Sequence, residues 1–448
     1  MMQRIKSGLK TAALMVKGRM PGQLVIQITD RCNATCPQCG MRTTNTFDRT
    51  RLSNDQLKEI IDAAGKKEFQ AISFTGGEPM LLRKDLPELI RHAGKAGIPY
   101  IRTGTNGFFF AGHDKPGFTD KVKAIADELS DTPLRNFWIS LDSSVAHIHE
   151  QMRGFEGVVR GMEKALPIFH DAGIFPSVNL GLNRNVSQVT QVLGSPIPEA
   201  LSNPEASPFY QAFAKGFADF YRKVINMGFT IANACYPMSM DDSADKEDLD
   251  AVYAAASADR VVCFTGTEKA LLFKALSDTI PKFRSQIRIF SPLAGMHTLY
   301  NVYSGKNADT PYGCRGGIDF FYLNCTDGNT YPCGYRGAEN LGPFPDLNVN
   351  AINSKGYCLA CDWECFRDPT ELGGPFMEVV TAPWRLATRM AKDPAYGACW
   401  LKDLQYYKAC DFFNGRKPPR TTALNRFKTV SDRISILKVK QKHYSANF

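Results

Sequence analysis

Six short apolar segments alternate with amphipathic helical segments over the first half of this 448-residue chain. The predicted strands lie near residues 24, 71, 100, 137, 176 and 229. Strands that alternate with helices form parallel β-α units with right-handed crossovers, so the pattern predicts an α/β fold. An insertion, 186–226, separates the fifth and sixth strands, and Pro208 to Met227 at its end is predicted to be an aromatic-rich helix.

A cysteine triad follows the first strand. Cys32, Cys36 and Cys39 form a C-x3-C-x2-C pattern. Three thiolates at this spacing can hold three irons of a [4Fe–4S] cube and leave the fourth iron open to a small molecule. Zinc is the alternative, but a zinc site requires a fourth Cys or His nearby, and the nearest His is His92.

Further motifs stand at the ends of the next strands. They are F-T-G-G-E-P (74–79), T-N-G (105–107), W-I-S-L-D (138–142) and H-E-Q-M-R-G (149–154). Chemistry in barrel enzymes sits at these carboxyl ends. Together with the cysteine triad, the motifs resemble the radical S-adenosylmethionine (radical SAM) superfamily across roughly Gly22 to Pro237.

The resemblance implies a partial (β/α)6 TIM-like barrel with the triad as the catalytic centre. It also implies S-adenosylmethionine as the ligand of the open iron. Reductive cleavage of that ligand would yield a 5′-deoxyadenosyl radical, which abstracts hydrogen from a substrate carbon. An electron donor such as flavodoxin or ferredoxin is expected. Because oxygen destroys exposed cubes, we expect an anaerobic or oxygen-protected setting.

The resemblance also assigns residues to S-adenosylmethionine. They are Gly76, Gly77, Glu78, Pro79, Thr105, Asn106, Ser140, Asp142, Arg153 and Asn183. Glu78 is expected to meet the methionine amino group. Arg153 is expected to clamp the carboxylate, with a surface salt bridge as the alternative. Asn179 is the alternative to Asn183 near the ribose. Gln38 stands where the family has an aromatic residue, so it either bonds adenine or leaves adenine held differently.

A second cysteine group follows a predicted hairpin that turns at Asp327 and Gly328. This region resembles the SPASM and twitch extensions of the family, which carry auxiliary [4Fe–4S] clusters. A full SPASM module continues C-x2-C-x5-C-x3-C, whereas 358–365 read C-x2-C-x3-C, so we expect one auxiliary cluster. Its expected ligands are Cys314, Cys333, Cys358 and Cys361, with Cys365 as a substitute. The alternatives are a four-cysteine zinc site and a second auxiliary cluster on Cys399 and Cys410.

Positive charge is concentrated at the two ends of the chain. Residues 1–20 carry +5 and residues 415–448 carry +8; the whole chain carries +9, so the body is mildly acidic. Residues 2–16 also have the apolar stripe of an interfacial helix, with docking of that helix on the barrel as the alternative. We expect a cytoplasmic protein, with peripheral contact to an anionic membrane as an extension. No apolar run approaches the roughly 18 residues of a membrane span.

The predicted domains are a basic helix (1–21), the barrel (22–240), a helical connector with a strand (241–304), an auxiliary-cluster domain (305–370) and a C-terminal helical region with a basic tail (371–448). The basic ends favour a membrane-associated or lipid-linked substrate. A ribosomally made peptide is the main alternative, and a sugar or nucleoside is the third. Nucleic acid is not expected as a partner. The hypothesis of another class is a non-catalytic iron–sulfur or zinc protein.

Overall fold

The computed structural model describes residues 13–43, 49–191, 193–237, 249–253, 257, 259–306, 312–354 and 358–428. Within these residues one sheet of nine strands organises the chain. The strands are β1 (Gln23–Thr29), β2 (Ala71–Gly76), β3 (Tyr100–Thr105), β4 (Asn136–Ser140), β5 (Ser177–Gly181), β6 (Ile231–Cys235), β7 (Arg288–Ile289), β8 (Phe320–Leu323) and β9 (Thr330–Tyr331).

The strand order is β7-β6-β5-β4-β3-β2-β1-β8-β9. Neighbouring strands from β7 to β8 pair in parallel, and β8 and β9 form an antiparallel hairpin. The six predicted strands correspond to β1 to β6, which confirms the α/β fold class. The predicted hairpin is also present, and Gly328 in its turn has a φ of +73°.

Helices connect the parallel strands and cover the sheet. They are α1 (Gly40–Thr43), α2 (Asn54–Lys66), α3 (Leu86–Lys95), α4 (Phe118–Ser130), α5 (Ala146–Arg153), α6 (Val158–Asp171), α7 (Pro208–Met227), α8 (Gly266–Phe283), α9 (Leu293–Tyr303), α10 (Glu364–Thr381), α11 (Pro383–Lys392), α12 (Pro394–Ala409) and α13 (Thr421–Leu424). Helices between successive strands are expected, because a parallel connection requires a crossover.

Helix α2 shows how local sequence sets these elements. Ser53 and Gln56 form a capping box, in which each side chain accepts a hydrogen bond from the other's backbone N–H. The apolar residues of α2 recur at helical spacing and are buried against the sheet. In the insertion, α7 begins with Pro208 at its first position and ends before Gly228, whose φ is +103°.

The auxiliary region continues the barrel sheet, because β8 pairs with β1 in parallel. Arg19 reinforces this junction by donating to the carbonyl of Ile318 at 2.7 Å and to that of Ile352 at 2.8 Å. Helix α10 runs across the predicted domain boundary at 370/371.

Most of the predicted basic N-terminal helix (1–12) and the end of the basic tail (429–448) lie outside the described residues. In the described part of the chain, no helix is both long and apolar enough to cross a membrane.

Candidate functional site

The cysteine triad lies on the loop that leaves the carboxyl end of β1. Asn106 Nδ2 donates to Cys32 Sγ at 3.7 Å, and the Cys39 amide donates to the Cys36 carbonyl at 3.3 Å. All three cysteines line one cavity at this end of the barrel. The motif therefore folds with its thiols on a shared surface, as a cluster with three protein ligands requires.

Burial sets the protonation of these thiols. Desolvation raises the pKa of Cys36 to about 11 and that of Cys39 to about 12, and it also raises the pKa of Cys32. The guanidinium of Arg153 opposes the shift at each thiol, because a positive charge favours the thiolate. Metal binding must displace these thiol protons, and Arg153 is the cation placed to offset the resulting charge.

Two glycines let the cysteine loop approach β2 closely. The amide of Gly77 donates to the Thr29 carbonyl at 2.7 Å, and that of Glu78 donates to the Arg31 carbonyl at 2.8 Å. A Cβ on Gly77 would stand 2.2 Å from the Arg31 carbonyl oxygen, and one on Gly76 would stand 2.2 Å from that of Thr29. The two glycines are therefore required by the backbone of the loop that carries the cysteines.

Glu78 places a buried carboxyl group on the cavity wall. Its Oε1 accepts from the Met80 amide at 2.9 Å, and its Oε2 accepts from the Asn106 amide at 2.6 Å. Burial raises the pKa of this carboxyl to about 7, although these hydrogen bonds and Arg153 lower it. A cationic amino group beside Glu78 would favour the ionised form, so the position suits an ammonium group.

Asp142 binds two neighbouring side chains at the same cavity. It accepts from Arg153 Nε at 2.7 Å, from Arg153 Nη2 at 3.1 Å and from Gln38 Nε2 at 3.1 Å. Burial alone would raise the pKa of the Asp142 carboxyl, but the charge of Arg153 and the hydrogen bonds of His149 and Arg153 together outweigh it and hold that pKa well below its usual range. The salt bridge between Arg153 and Asp142 is therefore in the site and not on the surface, because the side chain of Arg153 is 12% exposed and that of Asp142 is 1% exposed.

The other predicted residues divide into two groups. Pro79, Thr105, Asn106 and Ser140 line the cavity. Asn183 lies outside this described wall, because its amide donates to the carbonyls of Asp142 at 2.9 Å and Gly181 at 2.6 Å. Strand β5 instead contributes Asn179 to the wall. Asn179 thus faces the cavity, and the contact of Asn179 or Asn183 with the ribose stays a prediction.

The cavity continues from the cysteines into the barrel and has a volume of ≈ 330 Å³. Alternate residues of five strands form its wall: Ser73, Thr75, Arg102, Gly104, Asn136, Trp138, Ser140, Ser177, Asn179, Asn233 and Cys235. This spacing arises because successive side chains of a strand point to opposite faces. The indole of Trp138 covers Gly104 so closely that a Cβ there would stand 2.3 Å from the ring.

Arg102 supplies the positive charge in the barrel part of the cavity. It lies in register beside Ser73 of β2 and Asn136 of β4. Across the described residues, its guanidinium has no hydrogen-bonded or ion-paired partner. Asn233 Oδ1 is also buried without a hydrogen-bond partner. The cavity therefore presents an unpaired cation and an unpaired acceptor to whatever enters it.

The segment Trp363–Cys365 closes the side of the barrel between β1 and β6. Gln23 of β1 donates to the Cys365 carbonyl at 3.4 Å, and the amide of Tyr236, just after β6, donates to Glu364 Oε2 at 3.1 Å. All three residues of the segment line the cavity. The auxiliary region thus contributes one wall of the central site.

Four cysteines of the second group come together in the auxiliary region. Cys314 and Cys358 exchange backbone hydrogen bonds of 2.8 and 3.2 Å. Burial raises the pKa of Cys333 to about 12, and the nearby Cys314 and Cys358 add to that rise. Burial raises the pKa of Cys361, and the nearby Cys314 and Cys333 raise it further. These four cysteines lie in one region of the fold, and their role as ligands stays a prediction.

Cys365 lines the central cavity and also packs against the apolar cluster that contains Cys333. Its Sγ lies 3.6 Å from Glu364 Oε1, and its expected role as a substitute ligand stays a prediction. Cys410 is buried in the cluster that contains Tyr406, and Cys399 packs against other apolar clusters, so the fold does not pair them. In the part of the chain that is described, no three His, Cys, Asp or Glu side chains are arranged around a single metal ion.

Comparison with known proteins matches residues 26–185 to the Radical SAM superfamily. The match covers the part of the chain that contains most of β1 and all of β2 to β5. Members of this superfamily use a [4Fe–4S] cluster and S-adenosylmethionine. The matched residues contain the cysteine triad, the G-G-E-P motif, Asp142 and Arg153, which are the groups that converge on the cavity.

Individual relatives align with different parts of this chain. It is 30% identical over 190 residues to a probable GTP 3′,8-cyclase of Sulfolobus acidocaldarius, covering 39% of this chain and 56% of that protein. It is 22% identical to an AdoMet-dependent heme synthase of Methanosarcina barkeri, covering 77% of this chain and 89% of that protein. Among solved structures, SuiB of Streptococcus suis bound to S-adenosylmethionine aligns at 14% identity with a TM-score of 0.48, covering 83% and 72% of the two chains.

Several residues of the cavity were not predicted from the sequence. Arg102 and Trp138 lie on strands whose positions were predicted, and their alternation with apolar residues was the signal that could have placed them on the inner face. Glu364 and Cys365 carried no such signal, because they reach the cavity through a segment more than a hundred residues after β6.

Proposed function

We propose that this chain is a radical SAM enzyme that reductively cleaves S-adenosylmethionine and removes a hydrogen atom from a substrate carbon. The observation that carries the proposal is that the cysteine triad, Glu78 and the Asp142–Arg153 pair meet at one cavity. When bound on the triad, a [4Fe–4S] cluster supplies the electron for the cleavage. Flavodoxin or ferredoxin is the expected source of that electron.

The charged residues of the site suit the two ends of an amino acid. Glu78 presents a carboxyl group to an ammonium, and Arg153 presents a guanidinium to a carboxylate. Because Asp142 engages Nε and Nη2 of Arg153, the remaining Nη1 is the nitrogen that can receive the methionine carboxylate. Gln38 Oε1 is buried with no partner, which makes it an acceptor for the adenine amino group.

We further propose that the substrate carries an anionic group, such as a carboxylate or a phosphate, that binds Arg102. A buried or half-buried charge without a partner is costly, so a complementary charge from the substrate would stabilise this wall. The proposal suits a lipid-linked phosphate, an acidic peptide or a nucleotide. The printed substrate of one relative, GTP, is of the last kind.

The four cysteines Cys314, Cys333, Cys358 and Cys361 are proposed to hold one auxiliary [4Fe–4S] cluster. One residue, Asp362, separates Cys361 from the wall segment Trp363–Cys365. An auxiliary cluster held there would position that wall and could accept the electron left after hydrogen abstraction. Zinc on the same four thiolates is the rival hypothesis, because a Cys₄ set also suits zinc.

Anaerobic incubation tests the proposed activity. The purified protein, S-adenosylmethionine and dithionite are combined with small-molecule and membrane extracts of cells grown in deuterated medium. The proposal predicts 5′-deoxyadenosine that contains deuterium, and no 5′-deoxyadenosine from Cys36→Ala. If the wild-type protein is brown but yields no 5′-deoxyadenosine, or if it is colourless and holds only zinc, the non-catalytic hypothesis replaces this one.

Variants at Arg102 test the substrate class separately. Arg102→Gln should abolish deuterium transfer from the extract, whereas Arg102→Lys should retain part of it. Both variants should keep the slow cleavage of S-adenosylmethionine that occurs without substrate, because Arg102 lies outside the group around Glu78 and Asp142. Unchanged transfer in Arg102→Gln would contradict an anionic anchor.

A further inference from the structure

The C-terminal helices α10, α11 and α12 expose an unusual concentration of large apolar side chains. They are Phe376 (38% exposed), Val379 (52%), Val380 (47%), Trp384 (67%) and Leu401 (54%). Single exposed apolar residues are ordinary, but these five are among only twelve such residues in the described chain. Helix α11 buries none of its residues. We call the exposed surface of residues 376–408 the C-terminal face.

Contacts hold the three helices of this face together. The ring of Phe376 on α10 meets the indole of Trp400 on α12 edge-on, with centroids 5.1 Å apart. Arg389 of α11 donates to Glu378 of α10 at 3.2 Å and lies 4.1 Å over the ring of Tyr312. The exposed apolar residues are therefore presented by a fixed group of helices that is anchored to the auxiliary region.

The charges of the C-terminal face are separated by sign. Its three acids point inward: Glu378 pairs with Arg389, Asp393 pairs with His297, and Asp403 pairs with Arg284. The side-chain exposures of these acids are 15%, 7% and 0%. The exposed charges of the same segment are all positive, namely Arg385, Lys392, Lys402 and Lys408. An apolar surface bordered by cations alone remains.

This combination selects one class of partner. A partner that buries Trp384 and Val380 must offer an apolar phase, and one that faces four lysines and arginines must carry negative charge. A bilayer with anionic lipids offers both, and tryptophan with flanking basic residues is typical of interfacial segments. The segment 415–448, which carries +8, begins seven positions after Lys408, and its Lys417 and Arg420 are exposed.

We propose that the C-terminal face docks this protein peripherally on an anionic lipid bilayer. The proposal is independent of the radical chemistry, and it adds a membrane contact to the basic ends considered from the sequence. It would place the auxiliary region, which adjoins the barrel cavity through Trp363–Cys365, near a lipid-linked or membrane-dissolved substrate.

Vesicle flotation with the full chain tests the proposal. The probes are vesicles of phosphatidylcholine alone and vesicles with two parts phosphatidylcholine to one part phosphatidylglycerol. We expect binding to the anionic vesicles at low salt, with release at high salt because screening weakens the attraction. Val380→Glu/Trp384→Glu should lower the bound fraction about tenfold. The neutral Trp384→Ser should lower it less, because it removes apolar area without adding charge.

A matched control and a second measurement keep the test decisive. Ile197→Glu places the same charge on a side chain that is 66% exposed elsewhere on the barrel, and it should bind as the wild type does. Iron content and far-ultraviolet circular dichroism should be unchanged in every variant. Equal binding to neutral vesicles, or full binding by the double variant, would overturn the proposal. Sedimentation velocity gives a further contradicting outcome: if the wild type self-associates and the double variant is a monomer, the C-terminal face is a protein interface and the proposal is overturned.

Discussion

Alanine in place of Gly77 should separate the cysteine loop from β2. The added Cβ would stand 2.2 Å from the Arg31 carbonyl oxygen and 2.8 Å from that of Asp30, both of which are backbone atoms. Ordinary contact requires roughly 3.5 Å, so the loop or the strand must move by about 1 Å. Such overpacking costs about 1–3 kcal/mol, and each lost backbone hydrogen bond adds about 1 kcal/mol. We therefore expect Gly77→Ala to lower the free energy of unfolding by about 3 kcal/mol.

Two assays check this expectation. Urea unfolding of the cluster-free protein measures the stability loss, and iron and sulfide analysis after anaerobic reconstitution measures whether the displaced loop still binds a cube. Gly194→Ala is the matched control, because a Cβ there meets nothing within 4 Å. It should behave as the wild type in both assays. If Gly77→Ala retains wild-type stability and wild-type iron, the two glycines do not hold the cysteine loop in place.

Two further predictions concern titration and the auxiliary cysteines. Because burial raises the pKa of Glu78 from 4.5 to about 7, the carboxyl contributes stability below pH 4.5 that is lost as the pH rises through 7. Urea unfolding of the cluster-free protein should show this loss, about 3 kcal/mol in size, and Glu78→Gln should lack it. If the free energy of unfolding depends on pH in the same way in the wild type and in Glu78→Gln, burial does not control the pKa of Glu78. Cys361→Ala should reduce reconstituted iron by about four atoms per chain, whereas Cys365→Ala should retain all of it. Equal iron loss in both variants would return Cys365 to the ligand set.

Local sequence was sufficient to predict the elements whose residue patterns span only a short segment of the chain. Strands β1 to β6 and helix α7 follow directly from apolar periodicity, and the capping box of α2 follows from the pair Ser53 and Gln56. The cysteine triad and the G-G-E-P motif lie on loops after adjacent strands β1 and β2, so strand order alone brings them together. These parts depend on contacts between segments close in sequence or in the sheet.

Other features depend on long-range packing that no local pattern encodes. Asn179 and Asn183 are both plausible from the sequence, and only the end of β5 at Gly181 decides which one faces the cavity. Cys365 is four residues after Cys361, yet the start of α10 places it on the wall of the barrel cavity. The inward pairing of Asp403 with Arg284, which leaves only cations exposed on α12, joins residues 119 positions apart.

The central claim is that the cysteine triad holds a cube whose open iron binds S-adenosylmethionine. Electron–nuclear double resonance of the reduced protein with S-adenosylmethionine labelled with ¹⁵N at the methionine amino group and ¹³C at the carboxylate tests it most directly. The account predicts ¹⁵N and ¹³C couplings to the cluster in the wild type and in Cys361→Ala, and none in Cys36→Ala. A reduced wild-type cluster without these couplings, or couplings that persist in Cys36→Ala, would contradict the assignment of the site.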